Sequence, residues 1–505
     1  MALSFRELQQ QIQPDWAEGC ATPTSQYDLL VVPSLSLDQR EMELVQGVHH
    51  YEERQLFALT RLRYPGVRIV VVTSKLLPEL VVDAVLELLP GVPTSHARQR
   101  LKLFDTDDAS TKPLTAKLLE RPALLRRLRE HLRPGQSFIS CFNVTPLEQQ
   151  LSEQLQLPIL GTAPDLAHLG TKAGSRALFQ RCGVPHPPGT NLAFNLSDLA
   201  EASAELWEAH PNLGQVVVKL NEGFSGEGNA PLDLTPLELE GLSNRQRRSQ
   251  LHQALETVAM PTSCWLELLG QQGALVEAWV GPKTAKSSTQ KVCSPSVQGT
   301  IHPGQPSKVE ILSTHEQVLA GPHGQTYQGC RFPADEPYRL ALMRHGNAIG
   351  EALALEGALG HYAMDFVVYQ EEQQWNLQAI EINLRQGGTT YPYMALCHTT
   401  SGQLNPSSGL FLAPNGQALF YEATDNLCDQ RLRGLLPVDL LDIVARAGLH
   451  FDPAQRRGSL FHLLGCLSEF GKLGMTCIGH SPKDARLIYD ATADQLLKAA
   501  VAAGH

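Results

Sequence analysis

Ala379-Ile380-Glu381-Ile382-Asn383-Leu384-Arg385-Gln386-Gly387-Gly388-Thr389-Thr390 is the stretch on which the reading of this chain turns. Glu381, Asn383 and Arg385 alternate with Ile380, Ile382 and Leu384. On a β-strand, side chains two apart share one face. The spacing therefore predicts a carboxylate, an amide and a guanidinium pointing one way and three aliphatics the other. The carboxylate and amide oxygens suit a hard cation such as Mg2+. The guanidinium suits a phosphate or a developing oxyanion. Taken alone, the stretch fits an ordinary half-exposed strand equally well.

The neighbouring segments separate the two readings. His361–Tyr369 predicts a strand, and the polar turn Gln370–Gln374 returns from it to the central stretch. Asp365 lies on that strand between Met364 and Phe366, so antiparallel pairing would set its carboxylate beside Glu381. Gln215–Leu220 predicts a strand with Lys219 inside an apolar run, where a lysine is costly to bury without an anionic partner. A lysine that snorkels to the strand end is the plainer alternative. Directly after it, Asn221–Asn229 holds Gly223, Ser225, Gly226 and Gly228. Such a loop has many free N–H groups and can close over a polyphosphate, or it can be a simple hairpin turn. Lys172 falls in the first turn of a predicted helix, against the helix dipole. Glu277 sits in an apolar strand that runs through Ala278, Trp279 and Val280, where a carboxylate needs a partner.

The bulk numbers narrow the class. The chain has 505 residues, 43% of them hydrophobic and 18% charged, with a net charge of −11. That length implies about two to four domains with ample core. The acidic balance argues against nucleic-acid binding. No apolar run approaches the roughly 20 residues of a membrane span. The N-terminus lacks a signal-type apolar core, and the ten cysteines show no metal spacing, so a cytoplasmic protein with reduced thiols is expected. There is no G-x-S-x-G, H-E-x-x-H, Walker A or kinase H-R-D pattern. His315 and His361, each in an apolar strand, read as satisfied residues rather than metal ligands. Tyr27–Pro33, Val67–Thr73, Arg100–Phe104 and Ser137–Phe142 predict strands separated by helices, hence a parallel, doubly wound sheet. Segments of antiparallel character follow over 294–331. After Ser401, a linker (Gly402–Asn415) leads to a tail with a helix near Val438–Leu449, a hairpin across Leu460–Ile478 and a last helix capped by Ser481.

The order Lys172, Lys219, Gly loop, Glu277, Asp365, then Glu381-x-Asn383-x-Arg385 resembles the ATP-grasp superfamily over roughly 161–392. The resemblance implies ATP held by Lys172 and Lys219 under the loop Gly223–Gly228, and adenine bound by the backbone of Glu277, Ala278 and Val280. It also implies Mg2+ (two ions, or Mn2+) on Asp365, Glu381 and Asn383, with Arg385 at the reacting oxygens. Gly170-Thr-Lys-Ala-Gly-Ser-Arg176, Ser294–Gln298, Leu312–Gln317 and Ile382–Thr390 resemble, more narrowly, the pheganomycin-type peptide ligases. That group carries His-Pro after its Gly-Gly-Thr-Thr, whereas this chain has Tyr391-Pro392. The difference bears on substrate identity rather than on nucleotide use.

The resemblance implies an α/β chain: a doubly wound pre-ATP-grasp domain (1–163), an α+β ATP-grasp domain in two subdomains (164–265 and 266–400), and a linker with a small α+β C-terminal domain (401–505). It also implies a homodimer, and small-molecule or peptide carboxylate and amine substrates. The implied reaction is ADP-forming amide ligation through an acylphosphate. From position alone, Gly387, Gly388, Thr389 and Thr390 are expected to hold a substrate carboxylate. The competing readings are a ligase for a small acid and a non-peptide amine, and a nucleotide-binding regulator without turnover.

Overall fold

The computed structural model describes residues 2–17, 21–37, 39–223, 229–237, 239–259, 263–280, 291–304, 306–320 and 326–502. The first layer is the expected parallel sheet. Its strands are β1 (Asp28–Val32), β2 (Arg68–Thr73), β3 (Leu101–Asp105) and β4 (Ser137–Cys141), in the order β3-β2-β1-β4. Both faces are apolar, as parallel strands require. Leu30, Val32, Val70 and Val72 pack on the sheet's own helices through Leu118, Leu128 and Leu151. Leu29, Val31, Ile69 and Val71 face the other way.

That second face is packed by Trp16, Leu56, Leu59, Leu62, Val81 and Leu86, and the same core runs on into residues far along the chain. Leu432, Leu440, Val444, Leu464, Ile488 and Leu496 share one core with Leu29 and Ile69. The tail, expected as a linker and a small α+β domain over 401–505, shares this core with the parallel sheet.

A smaller antiparallel sheet is built from β5 (Gln215–Leu220), β6 (Asn229–Asp233) and β7 (Ala274–Ala278), in the order β6-β5-β7. Val216 pairs with Ala278 and Lys219 with Leu275. The subdomain boundary expected at 265 therefore moves beyond Ala278. Among the described residues, the third sheet has eleven strands. It contains β8 (Val292–Cys293), β9 (Pro295–His302), β10 (Lys308–Ala320), β11 (Thr326–Phe332), β12 (Gly360–Glu371) and β13 (Gln374–Asn383). The tail then adds β14 (Gln403–Asn405), β15 (Leu410–Leu412), β16 (Ala418–Cys428), β17 (Gly458–His462) and β18 (Lys472–Gly479). β16 pairs with β11, so the sheet runs on into the tail without a break. The expected linker over 402–415 contains β14 and β15. The expected hairpin over 460–478 is β17 and β18 with a short helix, Gly465–Phe470, between them.

Asp28, fully buried at the start of β1, ties the parallel sheet together at its N-terminal edge. Its carboxylate accepts from Arg68, and from the Arg133 backbone N–H at 2.7 Å and Nε at 2.9 Å. Burial works to raise its pKa, but the two guanidinium groups outweigh it and hold it below the usual range. A folded-state value below the unfolded one stabilises the fold above about pH 3.9, and that contribution is lost as pH falls through the folded value. Asp28→Asn is expected to lower stability by about 3 kcal/mol at neutral pH, since it leaves two cations facing a neutral buried group. Thermal melts from neutral to acid pH check this: the variant's stability should also fall less steeply below about pH 4 than the wild type's.

Candidate active site

Helix α1 (Lys172–Cys182) begins where the small sheet meets the large one. Thr171 caps it by accepting from the Gly174 N–H at 3.1 Å. A Cβ on Gly174 would lie 1.9 Å from the His168 carbonyl oxygen, so only glycine lets the chain fold over at this point. The Lys172 N–H donates to the Asn221 carbonyl at 3.0 Å, and the Ala173 N–H to Asn221 Oδ1 at 3.1 Å. These two bonds fasten the start of the helix to the chain leaving β5. On the other side, the Ile382 N–H donates to the buried Ser175 hydroxyl at 3.0 Å. The helix thus fixes the end of β5 against β13.

On the large sheet, Asp365 of β12 and Glu381 of β13 are direct cross-strand partners, as antiparallel pairing predicts. The register shifts between Asp365 and Phe366, because Phe366 faces Ala379. Ile380 is therefore the extra residue of a β-bulge, a device that re-aims side chains beside functional sites. The bulge corrects the simple alternation. Ala379 and Ile382 are buried, with Leu384 packed partly against them, while Ile380 stays outside this core. β13 ends at Asn383, so Arg385 lies on the following loop rather than on the strand.

The charges converge. Lys172 forms an ion pair with Glu381. Burial raises the Glu381 pKa, but Lys172, with Lys219 and Arg385 beyond it, outweighs burial and holds the carboxyl at about 2. Asp365 goes the other way. Burial and the charge of Glu381 push it up to about 7, against the opposing pull of Gln317, Arg385 and Lys172. Gln317 Nε2 donates to Asp365 Oδ1 at 2.5 Å. Asn383 Nδ2 donates to Asp365 Oδ2 at 3.0 Å, and Arg385 donates to Asn383 Oδ1 at 2.9 Å. Five of the predicted groups and Lys219 thus sit in one electrostatic neighbourhood.

Among the described residues, no three His, Cys, Asp or Glu side chains converge as a metal site. A cation here has the two acids and the Asn383 amide, and phosphate oxygens would complete its shell. The donor set fits a hard divalent ion, because the Glu381 charge that pushes the facing Asp365 carboxyl up is what such an ion relieves. Asn383 now turns its N–H2 toward the acids, so its amide has to rotate before Oδ1 can serve as a ligand.

Glu277 has another role. It is buried in β7 and pairs with Lys219 at 2.5 Å and with Arg176 at 2.9 Å. Burial raises its pKa, and the two cations lower it below the usual range. The Ala278 N–H donates to the Pro188 carbonyl at 2.8 Å, so it is not available to adenine. Val280 is described and half-buried. Gly223 is described and exposed, while Ser225, Gly226 and Gly228 lie outside the described residues. In the loop after Arg385, the Gly387 N–H donates to Thr390 Oγ1 at 2.9 Å, and Thr390 Oγ1 donates to Gln298 Oε1 at 3.2 Å. The Gln298 amide donates to the Thr389 carbonyl at 3.3 Å. Gly387 and Thr390 therefore shape the loop with these bonds. A Cβ on Gly388 would lie 2.6 Å from the Tyr327 ring.

Arg176, Gln298 and Gln317 fall within motifs quoted from the sequence, yet only the structure gives them roles. His315 is buried, bonded to the Tyr421 hydroxyl at 2.6 Å, and held down to about 3 by burial. A cleft of about 930 Å3 near Arg63, Lys308 and Arg344 shares no residue with the charged centre. Chemistry rather than volume locates the site.

The profile described as "IQCH-like, ATP-grasp" matches residues 164–260, the segment that holds Lys172 and Lys219. The biotin carboxylase of Campylobacter jejuni, solved as a "beta-gamma-ATP" complex, superposes with a TM-score of 0.55 at 13% identity, covering 94% of this chain and 95% of that one. The chain has the ATP-grasp fold. Its tail matches the "PGM1 C-terminal domain" profile over residues 439–492. The biotin carboxylase domain of the Hydrogenobacter thermophilus 2-oxoglutarate carboxylase superposes with a TM-score of 0.51 at 12% identity, over 90% of this chain and 86% of that one. By sequence, this ATP-grasp chain is 28% identical over 473 residues to the L-propargylglycine–L-glutamate ligase of Streptantibioticus cattleyicolor, over 90% of this chain and 91% of that protein. It is 24% identical to the IQ motif-containing protein H of Danio rerio, over 91% of this chain but 47% of that protein.

The buried triad of the ATP-grasp small sheet gives a direct test. Glu277→Gln is expected to lower stability by about 3 kcal/mol, because Lys219 and Arg176 lose their shared counter-charge. The double variant Lys219→Met with Glu277→Leu should recover at least about 1 kcal/mol of that loss in thermal denaturation.

Proposed function

We propose that this ATP-grasp chain is an ADP-forming carboxylate–amine ligase that makes an amide bond in peptide or specialised-metabolite biosynthesis. The observation that carries the reading is the single centre in which two lysines, two facing carboxylates, an asparagine and an arginine meet. The relationship to a protein named as a ligase of L-propargylglycine and L-glutamate supports it.

The chemistry asks for positioning and charge neutralisation. The acid substrate's carboxylate oxygen attacks the γ-phosphorus of ATP, the bond to the β-phosphate oxygen breaks, and ADP leaves. The amine nitrogen then attacks the acyl carbon, the acyl–phosphate bond breaks, and phosphate departs as the new nitrogen loses its proton. Asp365, Glu381 and Asn383 would hold a divalent cation, which would supply charge neutralisation for the polyphosphate. Lys172, paired with Glu381 beside them, adds a cation that can face phosphate. Lys219 stays anchored by Glu277 and adds its field from the end of β5. Arg385, on the loop beyond Asn383, is placed to stabilise the acyl oxyanion.

ADP and phosphate release with Mg-ATP, measured against a panel of amino acids and short peptides, tests the reading, with product masses followed in parallel. The wild type should give a new amide mass with one ADP per amide. Glu381→Ala should lose both by at least about 100-fold, and Arg385→Ala should keep ATP binding while turnover falls by about 100-fold or more. ATP binding without ADP release across the panel would replace the ligase with a nucleotide-binding regulator.

A further inference from the structure

Strand β10 uses one of its edges over only part of its length. Along the first edge it pairs with β9, from Lys308 opposite His302 to Glu316 opposite Pro295. Along the second, β11 takes it up only over Glu316–Ala320. Over Lys308–Leu312 the second edge meets no strand, and its backbone makes no other hydrogen bond among the described residues. In an antiparallel pair, alternate residues turn their N–H and C=O away from the partner. A row of such groups is a template for another strand, and proteins ordinarily cover or blunt it.

Here the edge lines the cleft of about 930 Å3, whose two walls stand on opposite faces of β10. One wall is α2 (Glu336–Leu355), which lies so close that a Cβ on Gly350 would come 2.6 Å from Val309 and one on Gly346 3.2 Å from Ile311. It brings Met343 and Arg344 to the cleft. On the other face α3 (Thr390–Thr400) packs Tyr393 and Met394 into one core with Leu312. Beside it stands Arg63, the last residue of Val48–Arg63, which the sequence predicts as helical over 51–63 and which is a 3-10 helix. The lining is basic, although the chain carries a net charge of −11. Its one carboxylate among the described residues, Glu310, is engaged by His302 at 2.9 Å. Arg63 bonds the Tyr64 hydroxyl at 2.8 Å. Neither Arg63 nor Arg344 has a carboxylate partner among the described residues.

We propose that this cleft binds an extended peptide of aliphatic and acidic residues, which adds to the open edge of β10 as a further strand. Lys308–Leu312 offers roughly 17 Å of edge for main-chain pairing. Side chains of an added strand point alternately to the two walls. Each wall gives them apolar surface, Met343 on one and Met394 on the other, and one guanidinium. A small acid would use the cations and leave the edge unmet, whereas a peptide uses both. The proposal stands apart from the ligase reading, since the cleft shares no residue with the charged centre.

Full-length protein is screened against acetylated, amidated heptapeptides randomised over Val, Leu, Asp and Glu, and the tightest binder is followed by fluorescence anisotropy. The capped ends leave no terminal group to ligate. Two N-methylated forms of that peptide, each blocked along one of its edges, decide the mode. One should lose affinity by at least about tenfold and the other should keep it, because an added strand pairs along a single edge. Arg63→Glu and Arg344→Glu should each weaken the unmodified peptide by at least about threefold, with the melting temperature unchanged. Mg2+ with a non-hydrolysable ATP analogue should leave the affinity as it is. Loss with both N-methylated forms, or with neither, overturns strand addition, and so does a library without a binder. Displacement of the peptide by the analogue would move it to the charged centre and overturn the proposal. A wild-type dimer that Arg344→Glu separates into monomers in sedimentation would give the edge to a second copy of the chain and overturn it as well. In each of these cases the ligase reading is unaffected.

Discussion

Glu381 is the point of balance on which the site depends. Lys172 touches it, Lys219 and Arg385 act on it from further away, and Asp365 faces it across one strand pair. Each of these groups would be expensive to hold in a partly dry cleft on its own. Held together, the acids and the cations offset one another's cost of burial.

Around that balance the fold works as a set of clamps. The start of α1 is bound to the end of β5 through Asn221 and to β13 through Ser175. The bulge at Ile380 turns Glu381 toward the strand partner that carries Asp365. The small sheet satisfies its own buried lysine with Glu277, which also pairs with Arg176 of α1. Lys219 is therefore a fixed cation, whereas Lys172 has a partner it can exchange.

The sequence made much of this legible, for stated physical reasons. Period-two spacing placed Glu381 and Asn383 on one face, and the single polar turn after Asp365 made its strand the antiparallel neighbour. Two apolar strands each carrying one charge, around Lys219 and Glu277, signalled a buried pair. Arg176, the third member, lies 101 residues from Glu277, and its surroundings in the chain resemble any exposed helix. The bulge was illegible because Ile380 fits either a regular or a bulged strand, and only pairing register distinguishes them. The 3-10 character of 48–63 leaves no apolar periodicity of its own. The fate of the tail was hidden for a similar reason. Its helices are amphipathic in an ordinary way, and nothing local says that they share a core with residues 28–141.

That partnership has a consequence for how the protein is made. Strands β1 to β4 leave the ribosome early, and one face of their sheet can be covered at once by the helices between them. The other face meets Leu56, Leu59 and Leu62 early, but the core it belongs to is completed only by Leu432, Leu464, Ile488 and Leu496. At typical elongation speeds of about 5–20 residues per second, that completion comes on the order of tens of seconds later. Throughout that interval the side of this core that the later residues fill stays open. Folding of the early layer is thus tied to residues synthesised long after its own strands.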